Sequence, residues 1–289
     1  MRPCVGRVPC CQDPAARNTS PEEARLVSVN GPMGRCVEDV ALLLDAMAKP
    51  HPKDPWSREP PRQSFLEALQ KEPLQLPSSI AWSPDLGVCP VQPGVAEICK
   101  RAADWFRESL GCQVVEDCPD FSQAQRAFQV LRAAMFRSLG FMLKGPSKDV
   151  IKPDLVWQIQ KGVDLSDEEV SEAELQHSSI MESVTSFFQE YDLLACPCAL
   201  LPPFDVRTRW VRQVEGAAFD NYIDWLMPTY IISLTKLPAL SLPCGMTKEG
   251  TPVGIQLVGP PNGEAGVLAA ALAYERAHPF AGMLPIDPI

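Results

Sequence analysis

Residues 239–258 read ALSLPCGMTKEGTPVGIQLV. Two largely apolar runs, Ala239–Pro243 and Val253–Val258, flank a polar stretch that contains Lys248-Glu249-Gly250. Short apolar runs bounded by turn residues are the pattern of buried strands. A glycine between them supplies the positive φ that a tight connection needs. The stretch therefore predicts a β-hairpin. Just beyond it, Asn262-Gly263-Glu264 opens an Ala-rich helix over Ala265–Ala277.

Upstream, Ile80–Ser83, Gln113–Glu116 and Asp192–Cys196 read as further short strands. Between them lie segments of helical period. Cys36–Ala48 follows a Gly-Pro-Met-Gly turn and sets Val37, Val40, Ala41, Leu44 and Met47 on one stripe. Val95–Leu110 does the same with Val95, Ile98, Ala102, Trp105, Phe106 and Leu110, and Gly111 stands where such a helix stops. Ser166-Asp167-Glu168-Glu169 has the spacing of a capping box, so a long helix to about Glu190 is expected. Alternating strands and helices predict an α/β domain, a mixed β-sheet covered by helices.

The chain has 289 residues, is 46% hydrophobic and 21% charged, and can bury a sizeable core. Its 26 Lys+Arg and 36 Asp+Glu give a net charge of −10, which argues against a nucleic-acid or anionic-membrane surface. No run approaches the ~18 apolar residues of a membrane span, and MRPCVGRVPCCQDP lacks the apolar centre of a signal peptide. Eleven cysteines, an odd number, fit free thiols in a reducing, cytoplasmic compartment. The close pairs Cys10-Cys11 and Cys196-Pro197-Cys198 lack C-x-x-C spacing, and His51, His177 and His278 are the only histidines, so neither a metal nor another cofactor is implied. The prolines crowd residues 50–93, which should be surface loop with short helices, anchored by Phe65, Leu66, Leu69, Ile80 and Trp82.

Nucleophile signatures are weak. There is no G-x-S-x-G elbow, and Ser78-Ser79 and Ser178-Ser179 lack flanking glycines. Ser233-Leu234-Thr235-Lys236 matches S-x-x-K, but Pro238 follows closely and the segment reads as loop entering a strand. Neither G-x-G-x-x-G nor a Walker A loop is present. Glu168-Glu169 and Glu116-Asp117 read as solvated charge, and His278 as a surface or satisfied histidine without an obvious partner. Taken residue by residue, the sequence names no reaction.

Longer stretches carry a resemblance. Gly31–Ala48 (GPMGRCVEDVALLLDAMA), Ala81–Phe106, Tyr191–Pro202, and above all Tyr222–Gly259 with its PALSLPCG and GTPVGIQLVG, resemble the amidase signature family. Glu264 and the helix reaching Glu275 are similar to that family's closing helix. The resemblance implies an amide (C–N bond) hydrolase with a Lys–Ser–Ser triad, its serines lying in a Gly/Ser-rich signature. Gly6-Arg7-Val8-Pro9 resembles the turn that follows that signature, and no residue of this sequence matches the lysine or either serine. Residues 1–289 are accordingly expected to form one N-terminally truncated amidase domain, with 50–93 as a Pro-rich loop region inside it. No catalytic residue is assigned, and the chain is expected to be inactive. The alternative is a non-catalytic binding or scaffold protein derived from an amidase.

Where family members carry glycine, Lys236 stands. Where the glutamine-using members carry an acidic residue, this sequence has Trp225-Leu226, with Asp224 beside them. Tyr222, Trp225 and Leu226 are therefore expected to line a pocket for a small or medium apolar or aryl amide in a full-length form, the competing reading being that they pack the core. A missing half of the sheet would leave an uncovered edge, so self-association or a partner chain is expected there.

Overall fold

The structure is a computed structural model that describes residues 1–10, 28–144 and 150–280. Cys11, half of one close cysteine pair, lies outside the described residues. In chain order the elements are α1 (Val37–Met47), α2 (Phe65–Gln70), β1 (Ser79–Trp82), α3 (Pro93–Leu110), β2 (Gln113–Glu116) and α4 (Ala124–Phe136). They continue with α5 (Pro153–Asp164), α6 (Asp167–Phe187), β3 (Leu193–Pro197) and a small hairpin of β4 (Gln213–Val214) and β5 (Ala217–Ala218). The chain ends with α7 (Met227–Leu234), β6 (Ala239–Met246), β7 (Pro252–Val258) and α8 (Glu264–Ala277).

The expected mixed sheet is present. Among the described residues it runs β2-β1-β3-β7-β6, with β1 parallel to β2 and β3, and β7 antiparallel to β3 and β6. Alternation along each strand builds two cores. On one face Ile80, Trp82, Leu193, Leu240, Leu242, Ile255 and Leu257 meet the apolar stripes of α1, α2, α3 and α8. On the other, Ala81, Leu194, Cys196 and Val258 meet α4, α6 and α7. A side chain such as Phe106 or Ile231, fully buried here, contributes roughly 1.5–3 kcal/mol.

Local chemistry sets the ends of these elements. Gly111, at φ +70°, terminates α3 in the left-handed region, and its N–H bonds the carbonyls of Phe106 and Arg107. The Ser166–Glu169 capping box starts α6, but the helix ends at Phe187, three residues short of the expected limit. In the hairpin, β6 reaches Met246 and β7 begins at Pro252, so the turn is tighter than the sequence suggested, with Gly250 at φ +78°. Ser178 sits inside α6, its hydroxyl returned to the Glu174 carbonyl (3.0 Å).

The first ten residues are pinned across two elements. Arg2 exchanges both backbone hydrogen bonds with Ala239 at 2.7 and 2.8 Å, the one described pairing on the outer side of β6. Gly6, at φ +82°, brings its backbone against residues 56–58; a Cβ there would meet the Trp56 carbonyl at 2.3 Å. Only glycine fits.

His177, buried on α6, hydrogen-bonds the Leu234 carbonyl at 2.9 Å, and burial holds its ring below the ordinary 6.5. Above that value the ring is neutral in both states, so it contributes nothing to the pH dependence. As pH falls through 6.5 the unfolded chain takes the proton first, and stability is lost until the folded ring also charges. The loss is about 1.4 kcal/mol for each pH unit across that window. Melting from pH 7.5 down to 5 should therefore be less steep in His177→Gln, which keeps a donor for Leu234 without titrating; parallel curves would exclude this role.

Candidate substrate pocket

The three residues singled out from the sequence lie around a short 3-10 turn, Asp224–Leu226, that feeds α7. Turn chemistry builds it. The Asn221 side chain accepts the Ile223 N–H at 2.9 Å, and Pro228 falls in the first turn of α7, where no backbone donor is needed. Asp224 points inward and is buried. Its carboxylate accepts from the Asp220 N–H (3.1 Å), Asn221 Nδ2 (2.9 Å), Gln125 Nε2 (3.2 Å) and Gln129 Nε2. This one side chain ties the turn to α4.

Tyr222, Trp225 and Leu226 are half-buried and pack against the second core. Tyr222 OH accepts from Arg132 Nη1 at 3.0 Å, and the guanidinium lies over both the Tyr222 and Phe136 rings, 5.6 and 5.2 Å from their centroids. Trp157 meets Tyr222 edge-on at 6.1 Å, and Phe204 meets Trp225 edge-on at 5.3 Å. Arg132 also donates to Gln158 Oε1, while Gln158 Nε2 is buried without a partner. Lys161 donates to Gln129 Oε1 at 2.6 Å, and burial lowers its pKa from the ordinary 10.5, against the pull of Asp224.

Arg132, Gln158, Gln129 and Lys161 were not found from the sequence. Their signal was there: Gln125, Gln129 and Arg132 recur at i, i+4 and i+7, a polar stripe along α4, whose Ala124, Ala127, Val130 and Leu131 are buried. Such an arrangement presents cationic and amide donors beside aromatic rings, groups that can bind and orient a ligand.

Of the serines considered as nucleophiles, Ser78, Ser79, Ser178 and Ser233 have hydroxyls committed to other hydrogen bonds. Ser233 does not lie in a loop, as the sequence suggested. It occupies the last turn of α7, which ends at Leu234 before Pro238 is reached, and its hydroxyl donates to the Thr229 carbonyl at 2.9 Å. Lys236 lies past the helix end at φ +59°, in the left-handed region that favours glycine. The serine closes a helix instead of opening one, so S-x-x-K geometry is not formed. Ser78 donates to Asp192 Oδ2 at 2.7 Å. His278 stacks on Tyr274 (4.3 Å) and hydrogen-bonds its carbonyl, a satisfied histidine. The described cysteines are free thiols, and no cluster of described His, Cys, Asp and Glu side chains has metal-holding geometry.

The sequence profile of the family described as Amidase matches residues 1–268. The chain belongs to the amidase family. It is 31% identical over 263 residues to an acylamidase of Rhodococcus erythropolis, covering 90% of this chain and 54% of that protein. It is 26% identical over 280 residues to a glutamyl-tRNA(Gln) amidotransferase subunit from Thermodesulfovibrio yellowstonii, covering 89% of this chain and 56% of the relative. Its fold superposes on a bacterial aryl acylamidase of the amidase signature family with TM-score 0.81 at 25% identity, over all of this chain and 60% of that one. The chain thus spans about half the length of the amidases it matches. No helix among the described residues is long and apolar enough to cross a membrane.

Proposed function

We propose that this chain is part of a single amidase domain and carries one wall of the substrate pocket of an amide hydrolase, without the groups that break the C–N bond. The observation that carries this reading is the Tyr222–Trp225 turn. Aromatic side chains sit beside a half-buried guanidinium, while the nearby Ser233 hydroxyl is spent on the backbone. An apolar or aryl amide suits Trp225, Leu226 and Trp157, and the Arg132 guanidinium can donate to a polar acceptor on the same molecule. Free thiols throughout the described chain are consistent with a reducing, cytoplasmic setting.

The test joins this chain to a segment bearing the lysine strand and the double-serine signature, then compares aryl with alkyl amides. Trp225→Ala is expected to lower kcat/KM for aryl amides roughly 10-fold, about 1–2 kcal/mol of aromatic contact, and to change alkyl amides little. An unchanged ranking would mean that Trp225 only packs the core. If the joined protein hydrolyses nothing, a non-catalytic binding role gains instead.

A further inference from the structure

Cys99 on α3 and Cys244 on β6 face each other across one wall of the first core, with their sulfurs 3.8 Å apart. Cys99 is fully buried; Cys244 is half-buried between the exposed Pro243 and Met246. The surrounding contact is tight. A Cβ on Gly245 would lie 2.7 Å from Ile98 Cγ2, so helix and strand are in close register at the pair. The other thiols nearby have different partners: Cys198 Sγ accepts from Ser241 Oγ (3.4 Å), and Cys196 Sγ accepts from Gln256 Nε2 (3.5 Å). A disulfide needs its sulfurs at about 2.05 Å, so bond formation closes this pair by about 1.8 Å.

We propose that Cys99 and Cys244 are a redox-modification site, oxidised by hydrogen peroxide to an internal disulfide that locks α3 to β6. The half-buried Cys244 thiolate attacks the peroxide first: an S–O bond forms, the O–O bond breaks, and water leaves after protonation. The Cys99 sulfur then attacks the Cys244 sulfenic acid. The S–S bond forms, the S–O bond breaks, and the departing hydroxide leaves as water with the Cys99 proton. Both sulfurs are oxidised and one peroxide is reduced to two waters. The order follows from the environments. The adjacent Cys244 thiol and burial together push Cys99 far above the ordinary thiol range, so it serves as the resolving thiol rather than the first one oxidised.

The bond would tie together residues 145 positions apart, which restricts the unfolded chain far more than the folded one. The test treats the protein as expressed with hydrogen peroxide, blocks remaining thiols under denaturing conditions, and maps peptides without reduction. The expected result is a Cys99–Cys244 cross-linked peptide lacking two hydrogens, with a thermal midpoint raised by roughly 5–10 °C and restored by dithiothreitol. Cys244→Ser should abolish both changes, and Cys198→Ser should leave both intact. The wild-type map decides the matter without any variant. Cys99 fully alkylated after oxidation, Cys244 found only as sulfinic or sulfonic acid, or linkage to Cys198 or to a second chain would each overturn the proposal.

Discussion

Incubated with a chromogenic aryl amide, this chain alone is expected to show no turnover above buffer. A serine hydroxyl is a weak nucleophile at its free pKa and needs an adjacent base. The one local motif that could imitate such a pair is Ser233 with Lys236. The hydroxyl already donates to Thr229, and the lysine leaves the helix in a left-handed conformation. Cleavage also needs preorganised donors where the oxyanion develops, and removing one such donor costs on the order of 10²–10³ in rate. A site lacking nucleophile, base and donors together retains almost nothing. Ser233→Ala is the control: turnover clearly above buffer in the parent and absent in Ser233→Ala would make S-x-x-K the active motif and overturn the prediction.

The parts of the fold that were legible are those where one residue type has one structural use. Gly111 ends α3 in the left-handed region, Ser166 and Glu169 close a capping box, and Gly250 turns the β6–β7 hairpin. The strands were legible for a related reason. Ile80–Trp82 and Leu193–Cys196 are buried on both faces, so they read as continuous apolar runs between turn residues. α4 and α5 were harder, because Gln125, Gln129, Arg132, Gln158 and Lys161 interrupt their apolar periodicity with a hydrogen-bonded network in which Gln129 and Gln158 are buried. A proline disguised α7. Pro238 suggested a loop at Ser233, yet it lies beyond the helix end, and Pro228 in the first helical turn costs no hydrogen bond.

The surroundings of the proposed pocket wall were legible in part. The aromatic residues at 222 and 225 stand out in any reading, but their surroundings come from α4 and α5, 60 to 100 residues away in sequence, and no local pattern announces such a contact. Asp224 shows the limit. Beside Trp225 it reads as a candidate ligand group, whereas its hydrogen bonds to Asp220, Asn221, Gln125 and Gln129 make it the residue that holds the turn in place.

Glu264→Ala should cost about 3–5 kcal/mol, the penalty for leaving a buried charge unpaired. Glu264 is fully buried at the first position of α8, where the helix dipole favours a negative charge. Its Oε1 accepts from Arg7 Nε at 3.2 Å and from the Cys4 N–H at 3.1 Å. Arg7, itself buried, also donates to the Asn262 side chain at 3.3 Å and reaches the Glu59 carbonyl at 3.4 Å. Removing the carboxylate strands the guanidinium and releases the Cys4 amide. Against a total stability of about 5–15 kcal/mol the loss is a large fraction, and at about 2–4 °C per kcal/mol it should lower the melting temperature by roughly 10 °C. Glu264→Gln keeps an acceptor without the charge and should fall between. The decisive variant is the double replacement Arg7→Leu with Glu264→Leu, which removes both charges and should melt above Glu264→Ala. If Glu264→Ala cost less than 1 kcal/mol, or the double variant were no more stable than Glu264→Ala, the pair could not be what fastens the first ten residues to α8.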